Sequence, residues 1–364
     1  MPKCKGRVLH DCHAEVLALR GLNHFLLTEV LSLVQHDSAP CFSPYLRGRN
    51  GQVGQENGTH WSGQPFEIRS NVSICMYCSE APCGDASMEM VMDGTAGDAE
   101  PWEAVIHPDG ALHGRGYFAD LGVVRRKPGR GDAEPTLSKS CSDKLTLKQV
   151  TSVLSFGASV LIAITPNAYL SQVVVPADKY SEGGYSRAFG PAGRMAFARS
   201  APLPPAFGFR PFTATVLARD FDPFPFSRPW SGGPASKAGN VSAVFVAAAS
   251  NAGAAVCETI VRGVRQGFQQ FGEDAKKCSA LSRWKTWDLV ARIVDLVLAQ
   301  QGPGSVPLPV RRHLVCLHTA SSYRELKEGS LGAARAAAKA TVVLTLGGWR
   351  RNEGDQRWSL GQSA

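Results

Sequence analysis

Long apolar runs are missing from the 364 residues. The most apolar stretches are Val160-Leu161-Ile162-Ala163-Ile164, stopped by Pro166, and the segment from Val241 to Ala249, which gives way to Ser250 and Asn251. A bilayer span needs about 20 apolar residues, so the sequence predicts a soluble chain with no membrane partner. The start, Met1-Pro2-Lys3-Cys4-Lys5-Gly6-Arg7, lacks the apolar core of a secretory leader. The ten cysteines are irregularly spaced and read as reduced thiols of the cytoplasm or nucleus, some of them metal-bound. Internal repeats are absent too. Charged residues are only 19% against 44% apolar, a globular rather than a disordered balance. Acids are scarcer than bases, 31 against 39, and the net charge of +8 favours an anionic partner, nucleic acid first.

From Asp11, a plausible cap, the apolar residues Val16, Leu19, Leu22, Leu26, Val30 and Leu33 recur every three or four positions. That spacing predicts an amphipathic helix with His13 and Glu15 near its first turn. Residues 35–65, rich in Ser, Pro, Gly, Asn and Gln, read as a surface loop. Strands are expected at 68–76, near 121–124, and at 170–175, 241–248 and 256–261. Helices are expected at 85–92, from Cys141 through Leu154, from Trp284 to Leu298, and from Ser322 to Leu346, ending at Gly347-Gly348. The stretch 156–163 reads as a small insertion, and 36–65 and 196–240 as irregular ones. Alternating helices and strands predict an α/β or α+β fold.

Three short stretches carry the chemistry: Cys12-His13-Ala14-Glu15, Pro82-Cys83-Gly84-Asp85 and Ser140-Cys141-Ser142-Asp143. They offer one imidazole, two thiols and one adjacent carboxylate, the donor set of a zinc held by three protein ligands with a fourth position open. His13, Cys83 and Cys141 are the expected ligands. Glu15, two residues after the histidine, is the expected proton carrier of a nucleobase deaminase. Each cysteine falls at an expected helix start, where the backbone dipole favours a thiolate. One absence complicates this pattern. The cytidine-type motif is P-C-x-x-C, but the residue three after Cys83 is Ala86. The third ligand must then come from downstream, and Cys141 is chosen. Cys75 and Cys78 form a lone C-x-x-C that reads as strand filler, with a ligand set using Cys78 as the competing choice.

His13-Ala14-Glu15, Ser79-Glu80-Ala81-Pro82-Cys83-Gly84-Asp85-Ala86-Ser87, Lys127-Pro128-Gly129-Arg130 and Ser140-Cys141-Ser142-Asp143-Lys144-Leu145 together resemble the adenosine-to-inosine RNA editing deaminases. The second and third of these are similar to the tRNA-specific branch. The resemblance covers nearly the whole chain as a single editase domain over residues 1–364, firmly to about residue 200. It implies a cytidine-deaminase-like three-layer α/β core with an appended C-terminal helical and strand region. It also implies that the chain lacks the family's usual N-terminal segment, and that Lys139 stands where the family has methionine.

The implied reaction is hydrolysis of adenosine to inosine in RNA, an activated water attacking carbon 6 of adenine. The implied substrate is the adenosine 3′ of the anticodon of alanine tRNA, with no obligate protein partner. The resemblance further implies a buried inositol hexakisphosphate held by Arg20 and Lys144, with Lys277, Tyr323, Lys327, Lys339 and Trp349 as further candidates. The plainer reading of those five is solvated lysines and helix-packing aromatics. Asp11, Lys127 and Arg130 form a supporting group: Lys127 could bear on the metal site through Asp11 or, with Arg130, meet RNA phosphates. Two rivals differ in class. One is a free-nucleoside or cytidine deaminase; the other is a non-catalytic RNA-binding protein with a structural zinc.

Overall fold

The structure is a computed structural model that describes residues 4–35, 42–49, 63–94, 112–113, 120–127, 136–218, 239–250, 254–272, 274, 277–300, 308–350, 355 and 358–360. The helix expected near the N-terminus is α1, Ala14–Gln35, and it is buried on more than one side. By length and composition alone it could cross a membrane, but 56% of its most apolar window is buried inside this protein. Its first turn carries Glu15. Asp11 lies ahead of it, its carboxylate accepting from the His13 N–H at 3.0 Å, while His13 O takes the first helical bonds from Val16 and Leu17.

Within the span 35–65 the described residues include a strand; residues 36–41 and 50–62 lie outside the described residues. Leu46–Gly48 is a strand, β1, paired antiparallel with β2, Phe66–Ile68. The expected strand over 68–76 is interrupted after Ile68 and resumes as β3, Ile74–Tyr77. The chain then turns through Pro82-Cys83-Gly84 into a single 3-10 turn, Asp85–Ser87, continued by α2, Met88–Gly94. Two short strands, β4 (Leu112–His113) and β5 (Arg125–Arg126), pair in parallel, so the strand expected at 121–124 lies slightly later. Cys141 opens α3, Cys141–Thr151, under a full capping box made by Ser140 and Asp143.

Residues 156–163 are built into the buried core. They form α4, Phe156–Ser159, and a segment whose Val160, Leu161 and Ile162 are at most 2% exposed in the main core. Phe66 N–H donates to Leu161 O and Ala163 N–H to Phe66 O, tying that segment to β2. The expected strand at 170–175 is β6, Leu170–Pro176, followed by α5, Glu182–Phe189. The span 196–240 is not wholly irregular. It contributes β7, Thr213–Leu217, to a parallel sheet of order β3-β6-β7; residues 219–238 lie outside the described residues. Val173 and Val175, two residues apart on one face of β6, are fully buried, while Val174 on the opposite face is only half-buried.

A second sheet is antiparallel, β8 (Val241–Val246), β9 (Val256–Val261) and β10 (Val264–Arg265), and packs on α1. Helix α6 covers Arg283–Gln300. An unexpected α7 follows at Leu308–Thr319. The single helix expected from Ser322 to Leu346 is two, α8 (Tyr323–Glu328) and α9 (Ser330–Leu346), broken at Gly329. Glycine at 332 permits the close approach at this corner, since a Cβ there would run into the Lys327 carbonyl.

Candidate active site

Cys83 lies just past the C-terminal end of β3, where ligand sites in parallel sheets form. Cys141 is brought beside it by stitching between the two arms. Ser142 N–H donates to Cys83 O at 3.0 Å, Ser142 Oγ donates to Pro82 O at 3.0 Å, and Ala86 N–H donates to Ser142 Oγ at 3.1 Å. Gly84 makes that approach feasible. Its φ of +106° suits glycine, and a Cβ there would sit inside the Ser140 side chain. Gly84→Ala is expected to cost roughly 2 kcal/mol or more and to reduce metal content, as read by thermal unfolding and metal analysis of the purified variant.

The ligand atoms of His13, Cys83 and Cys141 lie within 4.8 Å of one another. His13 Nδ1 stands 3.6 Å from Cys83 Sγ and 3.5 Å from Cys141 Sγ. Tetrahedral zinc with bonds of about 2.0–2.1 Å to nitrogen and about 2.3 Å to sulfur sets nitrogen–sulfur edges of about 3.5 Å. The triangle therefore fits zinc. A hydrogen bond joins the two thiol groups. Cys83 is held well below the ordinary thiol range, first by its hydrogen bond with Cys141 and then by His13 and Lys127, and Cys141 is pushed up by the same bond. Displacing thiol protons is what metal binding to thiols entails. Cys78 takes no part: it is buried among Met76, Leu19 and Tyr185, and burial pushes its thiol up to about 12.

Glu15 Oε2 lies 3.2 Å from Cys141 Sγ. Burial first, then the Cys83 charge, raises its carboxyl above the ordinary range. Lys127 Nζ donates to Asp11 at 2.8 and 3.1 Å and to Cys141 Sγ at 3.4 Å. Burial disfavours its charge, but Cys83, Cys141 and Asp11 outweigh burial and raise its pKa. Lys144 also pairs with Asp11, and Ser138 Oγ donates to the same carboxylate at 3.1 Å. Burial would raise the Asp11 carboxyl, yet Lys144 and Lys127 hold it far below its usual range. Lys127 and Lys144 thus both hold Asp11, whose carboxylate also accepts from the His13 N–H. Arg130 lies outside the described residues.

Behind this group, on the other side of Lys144, is a cavity of about 310 Å³. Seven cations line it, Arg20, Lys144, Lys148, Arg283, Lys327, Arg335 and Lys339, together with Tyr323, and no carboxylate is among its described lining residues. Burial and the neighbouring Arg283 lower Arg20 to about 10; burial alone does the same to Arg335. Arg335 Nη2 is buried without a hydrogen-bond partner. Such an assembly of like charges fits a polyanion.

Two of the expected ligand residues are elsewhere. Lys277 is more than half exposed, pairs with Asp274 at 3.5 Å and sits over Phe268. Trp349 is not a lining residue; its ring receives the ammoniums of Lys139 at 5.4 Å and Lys339 at 6.0 Å. Sequence reasoning missed Lys148, Arg283 and Arg335. The signal for two of them was periodicity, since Lys144 and Lys148 on α3, and Arg335 and Lys339 on α9, are i,i+4 pairs on one helix face.

A mixed fold whose histidine and two cysteines converge beside a parallel sheet defines the cytidine-deaminase-like α/β class. Residues 2–352 match the adenosine-deaminase (editase) domain, and the chain belongs to that family. It is 39% identical over 225 residues to tRNA-specific adenosine deaminase 1 of Schizosaccharomyces pombe, 62% of this chain and 52% of that protein. It is 38% identical over 163 residues to the Saccharomyces cerevisiae protein of the same name, 43% of this chain and 37% of that protein. A rat double-stranded RNA-specific editase B2 is 27% identical over 191 residues, 47% of this chain and 22% of that protein. The matches thus span about half or less of these relatives' own lengths.

Proposed function

We propose that this chain is a zinc-dependent RNA deaminase that converts adenosine in tRNA to inosine with release of ammonia. The observation that carries the reading is the triangle of His13, Cys83 and Cys141 with the Glu15 carboxylate against it. When held by those three ligands, zinc supplies Lewis acidity that brings a water toward ionisation near pH 7. Glu15, beside that triangle, would be the group that moves a proton between a water at the open position and the amino group leaving carbon 6. Burial raises the Glu15 carboxyl above the ordinary range, the direction that favours holding a proton. The three-ligand count among the described residues favours catalysis over a four-ligand structural zinc.

The tRNA assignment rests on the names of the two yeast relatives and on the net charge of +8. The motif resemblance narrows it to the adenosine 3′ of the anticodon of alanine tRNA. The same resemblance, with the seven-cation cavity, supports inositol hexakisphosphate as the buried polyanion. Incubating the protein with alanine tRNA, adenosine and cytidine in parallel tests the assignment. Inosine is expected at that one tRNA position. Uridine from cytidine, or an unchanged tRNA, would overturn it.

A further inference from the structure

Both cysteine-bearing arms carry an aspartate two residues after the cysteine, Asp85 after Cys83 and Asp143 after Cys141. Both aspartates are 0% exposed, so neither faces solvent. Each is met by an arginine from one short segment, α5 and the turn that follows it. Arg187 Nε donates to the Asp85 carboxylate at 3.1 and 3.2 Å and Nη2 donates to Asp85 O at 2.8 Å; its Nη1 pairs with Glu89 at 2.6 Å. Arg194 Nη1 donates to Asp143 Oδ1 at 2.7 Å and Nη2 to Thr146 Oγ1 at 2.7 Å. The other Asp143 oxygen accepts from Ser140 at the helix cap, so Arg194 braces the cap that places Cys141. Arg194 N–H donates to Arg187 O at 2.9 Å, which fixes the spacing between the two arginines. Gly184 lets α5 lie flush on the Cys83 arm: a Cβ there would stand 2.6 Å from Glu89 Oε2 and 2.8 Å from Ala86 O.

We infer that Arg187 and Arg194 are positioning residues for the metal centre, a two-point clamp on one element that sets the separation of the Cys83 and Cys141 sulfurs. The inference rests on the zinc reading above. Without its guanidinium each buried carboxylate keeps donors from the loop before α3, the Gly122 N–H on Asp85 at 2.7 Å and the Arg125 N–H on Asp143 at 3.0 Å, and loses its tie to α5 and the turn after it. The arm is then free to shift, and the cysteine two residues away moves with it. Four-coordinate metal binding is sensitive to that separation, and partners of this supporting kind are typically worth about 10–100-fold in metal affinity.

The test is a cobalt(II) titration of the metal-stripped full chain, read by sulfur-to-cobalt and d–d absorption, alongside thermal unfolding. The wild type is expected to show thiolate–cobalt absorption that Cys83→Ala weakens; a wild type without it overturns the metal reading and the clamp together. Given that absorption, Arg187→Met and Arg194→Met are expected to bind cobalt at least about tenfold more weakly, with altered d–d bands. Adding Asp85→Asn to Arg187→Met is expected to restore part of the affinity, because the buried charge left without its guanidinium is gone while an oxygen remains for the Gly122 N–H. Arg187 is partly exposed, so its variants decide the matter even where Arg194→Met does not fold. A folded Arg187→Met with wild-type cobalt affinity and spectrum overturns the clamp.

Discussion

Glu15→Gln is expected to lower the rate of inosine formation by about 10²–10⁴-fold, the range of a general acid–base group, and to leave zinc bound. Glutamine keeps the size and a hydrogen-bonding oxygen near Cys141 Sγ, 3.2 Å from the present carboxylate, but it cannot take and return a proton. The side chain contributes no ligand atom to the His13, Cys83 and Cys141 triangle, so the metal count should not change. Single-turnover formation of inosine, paired with zinc stoichiometry on the same sample, separates the two roles. A variant that turns over normally would remove Glu15 from the chemistry. One that loses zinc would make it a ligand.

The cationic cavity carries the second large effect. Lys148 is pushed down to about 7, first by burial and then by Arg335, Arg20 and Lys339. Its folded pKa lies below the ordinary lysine value of about 10.4, so the folded, polyanion-free chain binds fewer protons than the unfolded chain between those limits. The penalty is complete below about pH 7 and fades as pH rises toward about 10. A polyanion reverses the sign by favouring the ammonium. Inositol hexakisphosphate at a thousand times its Kd is worth about 4 kcal/mol, on the order of 10 °C in Tm, with the largest gain at the low end of that window. Lys148→Met is expected to raise the Tm of the stripped chain and to shrink the gain from the polyanion. Calorimetric scans at pH 7 and pH 9.5, with and without the ligand, check both. Equal gains in variant and wild type would contradict the assignment.

The metal triangle was legible because its chemistry sits in short motifs. His13 and Glu15 share one turn, and Cys83 and Cys141 each stand in a distinctive run. Helix α1 and strands β6, β8 and β9 were legible from apolar periodicity, which burial imposes directly. What escaped depends on distant partners. Strand β7 lies in a stretch rich in Pro, Phe and Gly and exists because β6 offers an edge to pair with. Residues 160–162 complete the core against β2, a contact between segments far apart in sequence that local pattern does not carry. At the α8–α9 corner the Lys327 carbonyl approaches Gly332 so closely that only glycine fits, a tertiary contact that helix propensity does not encode. Lys277 was assigned to the polyanion as one cation among many in the sequence. Only the fold tells it from Lys148, Arg283 and Arg335, which face the cavity.

X-ray absorption at the zinc edge on the purified chain tests the metal centre most directly. One zinc per chain with two sulfurs at about 2.3 Å and the remaining nitrogen and oxygen neighbours at about 2.0–2.1 Å is the expected result, with one sulfur lost in Cys141→Ala. A shell without sulfur, or one unchanged by that substitution, would contradict it.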